Sequence, residues 1–485
     1  MQAEPTGGEA KTESTNERGT RMRQYRPLSA VVLAAGEGTR MRSGTPKVLH
    51  PLCGRPMVLH VVDALAELPL ERIVVVVGHA AERVTKTLHD QLVTEVPVEF
   101  VEQRVQRGTG DAVSVALTVF DDLDAEDDIL VLPGDAPLVR AETIARLATE
   151  HRVQDAAAAI LTATVAEPDG LGRVVRGKDG RVAGVVEHAD ATPEEREINE
   201  INTSIYCFRR GLLAPALRRL SPENAQGEYY LTDAIAVLRD AGHNVIALET
   251  EDPGEAIMVN DRVQLAEAED ELRRRINRVW MRAGVTMVDP AHTYIDATVE
   301  LETDVRLLPG TILEGRTVVG TGSVVGPDCH LTDVVVGEGV RISNTVAREC
   351  EIGDDCEVGP YAFVRPGTRL ATGVKVGTYV EIKNSEIGEG TKVPHLSYIG
   401  DADVGAGVNL GASTITANYD GVNKHRTTIG DGVHTGVHTS LVAPVEVGDD
   451  ADTGAGSVVT HDVAPGRHVR GIPARDTRPT REDGA

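Results

Sequence analysis

Aromatic side chains are scarce in this sequence. Its 485 residues include one Trp, nine Tyr and four Phe, together 3% of the chain. A core with so few rings must be built from Val, Ile, Leu and Ala, which suits regular stacking of small side chains. Hydrophobic residues still make up 41% of the chain. This fraction excludes a wholly disordered protein, and the length indicates two or three domains.

Cysteine is also rare, and long apolar runs are absent. The five cysteines form no Cys-x-x-Cys pair: they are Cys53, Cys207, Cys329, Cys350 and Cys356. This pattern argues against a disulfide framework and a thiolate zinc site, and it predicts reduced structural cysteines. No apolar run reaches the roughly 18 residues that a membrane span requires. Because the N-terminus also lacks an apolar signal core, we expect residues 1–28 to be a disordered tail of a cytoplasmic protein.

Positive charge is in short supply. Lys and Arg number 49 against 75 Asp and Glu, a formal net charge of −26. The resulting field repels phosphate, so we expect neither nucleic acid nor an anionic membrane as a partner. An anionic substrate would need a local cluster of cations or a metal ion.

The first half of the chain alternates apolar strands with helical segments. The strands read SAVVLAAG, ERIVVVVGH and DDILVLPGDAPL, and the helices read MVLHVVDALAEL and AAERVTKTLHDQL. This order predicts an α/β, Rossmann-like domain over residues 29–262 with a mostly parallel sheet. Ligands of such sheets bind at the carboxyl ends of the strands.

A charged segment with helical periodicity follows and predicts a helical linker over residues 263–283. Beyond it, an aliphatic residue recurs every six positions. The clearest members are Ile295, Leu301, Leu307, Leu313, Val319, Val325 and Leu331, then, after a slip, Ile352, Val358, Val364, Leu370, Val376 and Ile382, and later Ile387, Val393, Ile399, Val404 and Leu410. A period of six fits neither a helix nor a plain strand, and it predicts a parallel β-helix over residues 284–485, with about 18 residues per coil.

The six-residue pattern breaks after Leu410, and counting resumes from Ile415. The segment TANYDGVNKHRTT precedes the next clear inward position, Ile429. We expect about one coil's worth of residues to leave the β-helix here as a loop. A polar interruption of this kind usually serves a ligand or a neighbouring chain.

The densest cluster of chemically informative residues runs from Leu33 to Lys47. Gly36 and Gly38 let the backbone approach a nucleotide, and Arg40 and Lys47 supply cations. The segment is neither a dinucleotide fingerprint nor a Walker A loop.

Three further segments add to this cluster. Gln103 with Gly108 and Thr109 supplies amide and small groups suited to a base edge. Asp135, which ends a buried strand, is either a turn residue or a ligand of a hard cation such as Mg²⁺. Asn260 is either a helix cap or a second metal ligand.

These residues match a known family. The segments LAAGEGTRM, PKVLH, QRGTGDAV, PGDAPL, EINTSIY and NAQGEYYLTD precede the hexapeptide repeat with PHLSYIGDADVGAGVNLGA and ANYDGVNKH. Over about residues 29 to 475 the chain resembles the bacterial bifunctional N-acetylglucosamine-1-phosphate uridylyltransferase/glucosamine-1-phosphate N-acetyltransferase family. The resemblance implies a nucleotidyltransferase domain, a long helix and a left-handed β-helix that carries the acetyltransferase.

For the first domain, the resemblance implies a uridylyl site with UTP and Mg²⁺. Its nucleotide- and sugar-binding residues would be Leu33, Ala34, Ala35, Gly36, Lys47, Gln103, Gly108, Thr109, Gly134, Asp135, Gly172, Glu187, Asn202 and Asn260. Asp135 and Asn260 would hold the metal, and Arg40 and Lys47 would act on the triphosphate.

For the β-helix, the resemblance implies an acetyl-CoA site, a homotrimer and His395 as the general base, since histidine changes charge near neutral pH. The sugar phosphate would be held by Arg365, Lys383, Tyr398 and Asn409. Acetyl-CoA would contact Ala412, Asn418, Tyr419, Val437 and Ala455, with Arg470 or Arg475 near the cofactor. Arg365 and Lys383 are alternatively paired surface charges, and Glu381 is a candidate to orient His395.

The sequence departs from the family at two places. Val437-His438 replaces a stretch with a small residue, and Pro394 stiffens the approach to His395. Two rival interpretations stay open at this point. One is a sugar-nucleotide pyrophosphorylase with a non-catalytic β-helix, and the other is a regulatory subunit that uses both folds as a scaffold.

Overall fold

The computed structural model describes residues 26–120, 126–168 and 170–471. The chain divides into two compact units, Met1–Glu271 and Leu272–Ala485. The division falls inside a single helix, Arg262–Arg282, which covers all but the last residue of the predicted linker, 263–283. Residues 1–25 of the predicted tail lie outside the described residues, and the first strand begins at Leu28, inside the predicted tail.

The first unit contains eleven described strands and, with the helix at the unit boundary, eight described α-helices. The strands are β1 (Leu28–Ala34), β2 (Pro51–Leu52), β3 (Arg55–Pro56), β4 (Ile73–Val77), β5 (Val98–Glu102), β6 (Asp128–Pro133), β7 (Ala158–Thr164), β8 (Arg173–Arg176), β9 (Val182–Val186), β10 (Glu200–Arg209) and β11 (Val245–Glu249). The helices are α1 (Met57–Ala66), α2 (Ala81–Gln91), α3 (Thr109–Ala116), α4 (Ala141–Val153), α5 (Pro193–Arg196), α6 (Arg210–Leu217), α7 (Asp233–Asp240) and α8 (Arg262–Arg282).

The predicted mostly parallel α/β fold is confirmed. The central sheet has the order β11-β7-β10-β6-β1-β4-β5, and β10 is antiparallel to both of its neighbours in that order. Alternate residues of β1 enter different cores, Ala30 and Val32 on one face and Val31 on the other. Because both faces are covered, β1 reads as a continuous apolar run rather than as an alternating one.

The second unit is a parallel β-helix. Its strands are β12 (Thr286–Met287), β13 (Thr293–Ile295), β14 (Glu300–Leu301), β15 (Arg306–Leu307), β16 (Thr311–Glu314), β17 (Val318–Val319), β18 (Val324–Val325), β19 (His330–Val336), β20 (Arg341–Ile342), β21 (Val346–Ile352), β22 (Glu357–Val358), β23 (Phe363–Val364), β24 (Arg369–Leu370), β25 (Lys375–Thr378), β26 (Glu381–Lys383), β27 (Glu386–Ile387), β28 (Lys392–His395), β29 (Tyr398–Gly400), β30 (Ala402–Val404), β31 (Ile415–Ala417), β32 (Thr427–Ile429), β33 (His434–Thr435), β34 (Ser440–Val442), β35 (Val445–Val447), β36 (Asp452–Thr453), β37 (Val458–Val459) and β38 (His468–Val469).

The six-residue pattern marks the inward side chains of the β-helix. The predicted aliphatic positions from Ile295 to Leu410 are at most 7% exposed and form one core. The slip after Leu331 is a short coil, since Leu331 pairs with Ala347, only 16 residues on. The small side chain of Ala347 fills an inward position there. Because Ala347 was not counted among the large aliphatic residues, the sequence pattern showed a gap at this coil.

The interruption after Leu410 is smaller than the sequence suggested. Ile415 is 41% exposed, and Thr416 takes the inward position instead. The Thr416 hydroxyl accepts a hydrogen bond from the backbone N–H of Gly400 at 2.8 Å. Val404 pairs with Ile429, 25 residues on, whereas the preceding coil takes 17 residues. About eight residues therefore leave the coil, not a whole coil's worth.

The one Trp of the chain lies at the start of the β-helix. Trp280 and Ile276, on α8, pack against the β-helix core. Asn277 between them is buried and donates hydrogen bonds to the carbonyls of Pro290 and Thr293, at 2.8 and 3.0 Å. This end of α8 therefore belongs to the second unit.

Two expectations about the whole chain can be compared with the described residues. All five cysteines are buried and form no disulfide. Within residues 26–120, 126–168 and 170–471, no helix combines the length and apolar composition needed to cross a bilayer.

Candidate active sites

The first unit has a cleft of about 600 Å³ at the carboxyl ends of β1, β5 and β6. All but one of the first-domain residues marked by the sequence line it: Leu33, Ala34, Ala35, Gly36, Gly38, Arg40, Lys47, Gln103, Gly108, Thr109, Asp135, Gly172, Glu187, Asn202 and Asn260. Gly134 is the exception. Its N–H donates to the Leu33 carbonyl at 2.9 Å, so it joins the ends of β1 and β6 rather than facing the cleft.

The glycine loop after β1 is shaped by its contact with Lys47. Gly38 has a φ of 67°, and a Cβ there would lie 2.4 Å from the Lys47 Cβ. Gly36 has open space where a Cβ would project, which leaves room for a ligand at the backbone. The loop leads into a single 3₁₀ turn, Thr39–Met41, and not into an α-helix. The backbone N–H groups of the glycine loop therefore lack the dipole of a long helix that would help to hold a phosphate.

Asp135 and Asn260 both contact the ammonium group of Lys47. The Lys47 ammonium forms an ion pair with Asp135 and donates to Asn260 Oδ1 at 2.9 Å. The Arg40 guanidinium donates to the same Asn260 oxygen at 2.9 Å. A carboxylate and an amide oxygen that share one positive group are suited to a hard divalent cation.

The helix-cap alternative for Asn260 is wrong. Asp261, its neighbour, accepts hydrogen bonds from the N–H groups of Val263 and Gln264, at 2.9 and 3.0 Å, at the start of α8. Asp261 therefore caps the helix, and the Asn260 side chain is directed at Lys47 and Arg40 instead.

The amide groups of two glutamines are fixed beside the glycine loop. Gln103 donates through Nε2 to Asp111 at 2.8 Å and to the Gly108 carbonyl at 3.2 Å. This use of Nε2 orients the amide and leaves its oxygen for a base edge. Gln106, which the sequence did not mark, donates to the Ala35 carbonyl at 2.5 Å and also lines the cleft.

Two polar side chains that line the cleft, Glu187 and Asn202, are each fixed by a hydrogen bond from a neighbouring side chain. Thr232 donates to Glu187 at 3.1 Å, and Asn202 donates to the Tyr206 hydroxyl at 2.7 Å. A β-bulge between Asn202 and Tyr206 brings the Ser204 N–H to Asn202 Oδ1 at 3.1 Å. Both Asn202 amide atoms therefore have fixed positions.

Burial raises the pKa of Glu187, and the acidic side chains of Asp233, Asp190 and Glu228 add to the shift, although the Thr232 hydrogen bond opposes it.

Tyr206 and Thr232 were missed by the sequence analysis. Both lie within motifs quoted above, EINTSIY and NAQGEYYLTD, but neither residue was assigned a role there.

In the second unit, His395 lies at a corner of the β-helix, where β28 ends. Its side chain is exposed. The turns of the next three coils stack on this corner, each joined to the next by a backbone hydrogen bond. The His395 carbonyl accepts a hydrogen bond from Ser413 N at 3.1 Å, and the Ala412 carbonyl accepts one from His438 N at 2.7 Å. The Val437 carbonyl accepts one from Gly456 N at 2.8 Å. The predicted acetyl-CoA residues Ala412, Val437 and Ala455 therefore follow one edge above His395.

The predicted sugar-phosphate residues lie on two faces that meet at this corner. Val364 pairs with Ile382, so Arg365 and Lys383 follow at the same level on neighbouring coils, on the face that also carries Tyr398. Asn409 pairs with Lys392 on the adjoining face.

The Arg365 guanidinium donates to Glu381 at 2.6 Å. Glu381 thus holds Arg365, and the expectation that it orients His395 finds no contact among the described residues. A phosphate would compete with Glu381 for Arg365.

The polar loop that leaves the β-helix begins at Asn418. This side chain is 8% exposed and donates to the Tyr398 hydroxyl at 3.4 Å. Tyr419 is 60% exposed and donates to the Gly421 carbonyl at 2.6 Å. Arg470 donates to His468 at 2.9 Å, and Arg475 lies outside the described residues.

Known proteins match the chain over both units. A model of the MobA-like NTP transferase domain matches residues 30–246. The bifunctional protein GlmU of Thermobifida fusca is 53% identical over 450 residues, 92% of this chain and 92% of that protein. This chain belongs to the GlmU family. The GlmU proteins of Brevibacillus brevis and Mycobacterium bovis are each 49% identical and cover 90% of this chain, and 93% and 88% of their own lengths.

Membership of the GlmU family decides between the interpretations of the sequence. The chain is a uridylyltransferase and an acetyltransferase in one polypeptide, with sugar-phosphate and nucleotide substrates, and serves UDP-N-acetylglucosamine synthesis. The matches extend through the β-helix, so this unit is not an inert extension of a pyrophosphorylase. Among solved structures, a putative glucose-1-phosphate thymidylyltransferase from Bacillus anthracis covers 50% of this chain at 21% identity with a TM-score of 0.42, a similarity that supports no conclusion about function.

Proposed function

We propose that the first-unit cleft binds UTP with Mg²⁺ and transfers its uridylyl group to N-acetylglucosamine-1-phosphate. The convergence of Asp135 and Asn260 on Lys47 carries this proposal. Mg²⁺ held by these two oxygens would supply positive charge against the triphosphate. Lys47 and Arg40 would then turn to the phosphates as they leave their contacts with Asp135 and Asn260.

The substrate itself supplies the nucleophile of this reaction. An ionised oxygen of the sugar phosphate attacks the α-phosphorus of UTP, the bond to the bridging oxygen breaks, and pyrophosphate leaves. No general base is needed, so alignment and charge neutralisation carry the rate. Glu187 and Asn202, held by Thr232 and Tyr206, would fix the sugar.

Acetyl transfer, in this proposal, takes place at the His395 corner. His395 accepts a proton from the ammonium group of glucosamine-1-phosphate, and the free amine attacks the thioester carbonyl of acetyl-CoA. The C–S bond breaks, the proton passes from His395 to the departing thiolate, and the attacking nitrogen releases its remaining extra proton to solvent as the amide forms. Arg365 and Lys383 would bind the phosphate, and the stacked turns above His395 would bind the cofactor. The cytoplasmic location and the absence of nucleic acid and membrane partners stay predictions.

Metal removal tests the uridylyl half of this proposal. We expect EDTA to abolish uridylyl transfer and added Mg²⁺ to restore it, because without the metal only Lys47 and Arg40 oppose the triphosphate charge, and the Asp135 carboxylate adds to it. Acetyl transfer by the same preparation serves as the control and should be unchanged. The measurement is pyrophosphate release beside thiol release. Full uridylyl activity in metal-free buffer would refute the assignment of Asp135 and Asn260.

Dilution to monomers tests the predicted homotrimer. The residues proposed for acetyl transfer occupy a convex corner and its two adjoining faces, and such a surface cannot surround a ligand as long as acetyl-CoA. Neighbouring copies around a threefold axis would complete the walls. All residues lining the uridylyl cleft precede the end of the first unit.

We therefore expect acetyl transfer to fall with the trimer fraction and uridylyl transfer to persist. Both activities should be measured against mass by light scattering. A monomer that acetylates at the full rate would contradict the prediction.

A further inference from the structure

A buried carboxylate that the sequence did not mark lies behind the proposed acetyl site. Asp401 is 5% exposed and follows β29 at a corner of the β-helix, with a φ of 51°. Its N–H donates to the Lys383 carbonyl, and its own carbonyl accepts from Thr427 N, at 3.0 and 3.1 Å. Asp401 thus connects the Lys383 coil to the strand that follows the polar loop.

The Asp401 carboxylate contacts three side chains. Asn384, at the same corner of the preceding coil, donates to Oδ1 at 2.6 Å. Asn418 donates to Oδ2, and the Lys383 ammonium lies 3.7 Å from that oxygen. Two of these three residues, Lys383 and Asn418, belong to the proposed acetyl site, and they contact the same carboxylate oxygen.

The contacts of Asn418 determine which end of its amide is free. Its Nδ2 donates one hydrogen bond to Asp401 and a second, at 3.4 Å, to the Tyr398 hydroxyl. Both hydrogens of the Asn418 amide nitrogen are therefore used. Its Oδ1 accepts no hydrogen bond from the residues that the structure describes. The free end is therefore a hydrogen-bond acceptor, suited to an N–H donor such as the sugar ammonium.

The carboxylate stays charged in this position. Burial alone would raise the pKa of Asp401. The hydrogen bonds from Asn384 and Asn418 and the charges of Lys383 and Lys424 outweigh burial and hold this pKa below its ordinary value. A protonated Asp401 would neither pair with Lys383 nor accept equally well from both amides.

We propose that Asp401 is a positioning residue of the acetyl-transfer site. Its carboxylate holds the Lys383 ammonium at the phosphate subsite and turns Asn418 so that the amide oxygen, not the amide nitrogen, faces the amine of glucosamine-1-phosphate. This inference rests on the proposed function of the β-helix. Asp401 touches no substrate and acts through these two side chains.

Asp401→Asn tests this role, because it keeps the size of the side chain and removes the charge and one acceptor. We expect KM for glucosamine-1-phosphate to rise about tenfold or more, with a smaller change in KM for acetyl-CoA. Asn384→Ala should shift the same KM in the same direction by less, since it removes one of the two hydrogen bonds that orient Asp401.

The matched control is Asp403→Asn, two residues on. Asp403 pairs with Arg426 and not with a proposed site residue, so both KM values should stay within twofold. Uridylyl transfer by each variant reports whether the first unit is intact, and mass by light scattering reports whether the β-helix still assembles. A purely structural role would lower the amount of active enzyme and leave both KM values unchanged, and that result in Asp401→Asn and Asn384→Ala would overturn the inference.

Two further variants separate this inference from the proposed function. Lys383→Ala and His395→Ala should each lose acetyl transfer. If they retain it, the proposed acetyl site is wrong and the inference fails with it. If they lose it while Asp401→Asn keeps wild-type KM values, only the role of Asp401 is refuted.

Discussion

Asp135→Ala should lower uridylyl transfer by about 10²- to 10³-fold or more, the usual loss when a group that stabilises transition-state charge is removed. The same variant should keep acetyl transfer within twofold. Asp135 lies at the end of β6 and pairs with Lys47, which also contacts Asn260. Without the carboxylate, the cation site keeps one amide oxygen, and Lys47 loses the partner that fixes its position.

The control for Asp135→Ala is Asp90→Ala, on the exposed face of α2. Asp90 is exposed and does not line the nucleotide cleft, so both activities should be unchanged. Pyrophosphate release and thiol release should be measured on the same preparations. Loss of both activities in a folded Asp135→Ala protein would contradict the assignment of the two reactions to separate units.

The β-helix was predictable because its inward positions repeat. From Ile295 onward the period of six residues identifies the buried side chains, and it fails only where a coil changes length or chemistry. Ala347 fills an inward position in a 16-residue coil with a side chain too small to register as core. Thr416 fills another by bonding its hydroxyl to Gly400. Both depend on neighbouring coils, which a local pattern does not contain.

The first-unit site was predictable as a set of segments, but its internal contacts were not. Asp135 and Asn260 lie 125 positions apart in the sequence, and only the fold brings both to Lys47. The cap hypothesis for Asn260 failed because Asp261, one residue on, had an equally suitable side chain. The resemblance put Gly134 in the site with Asp135, although its N–H donates to the backbone carbonyl of Leu33.

Positioning residues were the least predictable of all. Tyr206, Thr232 and Asp401 act through other side chains, and the motifs that contain them do not say which side chains they contact. The contact expected between Glu381 and His395 is not found among the described residues, for a related reason. The pairing of Val364 with Ile382 puts Arg365 beside Glu381, and this cation takes the carboxylate. Such contacts follow from the register of the coils, which a single sequence does not fix.

His395→Ala should produce the opposite separation of activities. We expect acetyl transfer to fall by about 10²- to 10⁴-fold, the usual contribution of a general base, and uridylyl transfer to be unchanged. The remaining acetyl transfer should rise with pH, because the substrate then supplies more free amine without help. His330→Ala is the matched control, since His330 lies several coils away from His395 and pairs with Glu314.

The pH dependence distinguishes a base from a binding residue. If His395 only held the substrate, His395→Ala would raise KM and leave the shape of the pH profile of kcat as in the wild type. If it removes the ammonium proton, kcat of the variant should follow the fraction of substrate amine that is already free and rise with pH. Wild-type kcat in a folded His395→Ala protein, with His330→Ala also active, would show that the proton leaves by another route.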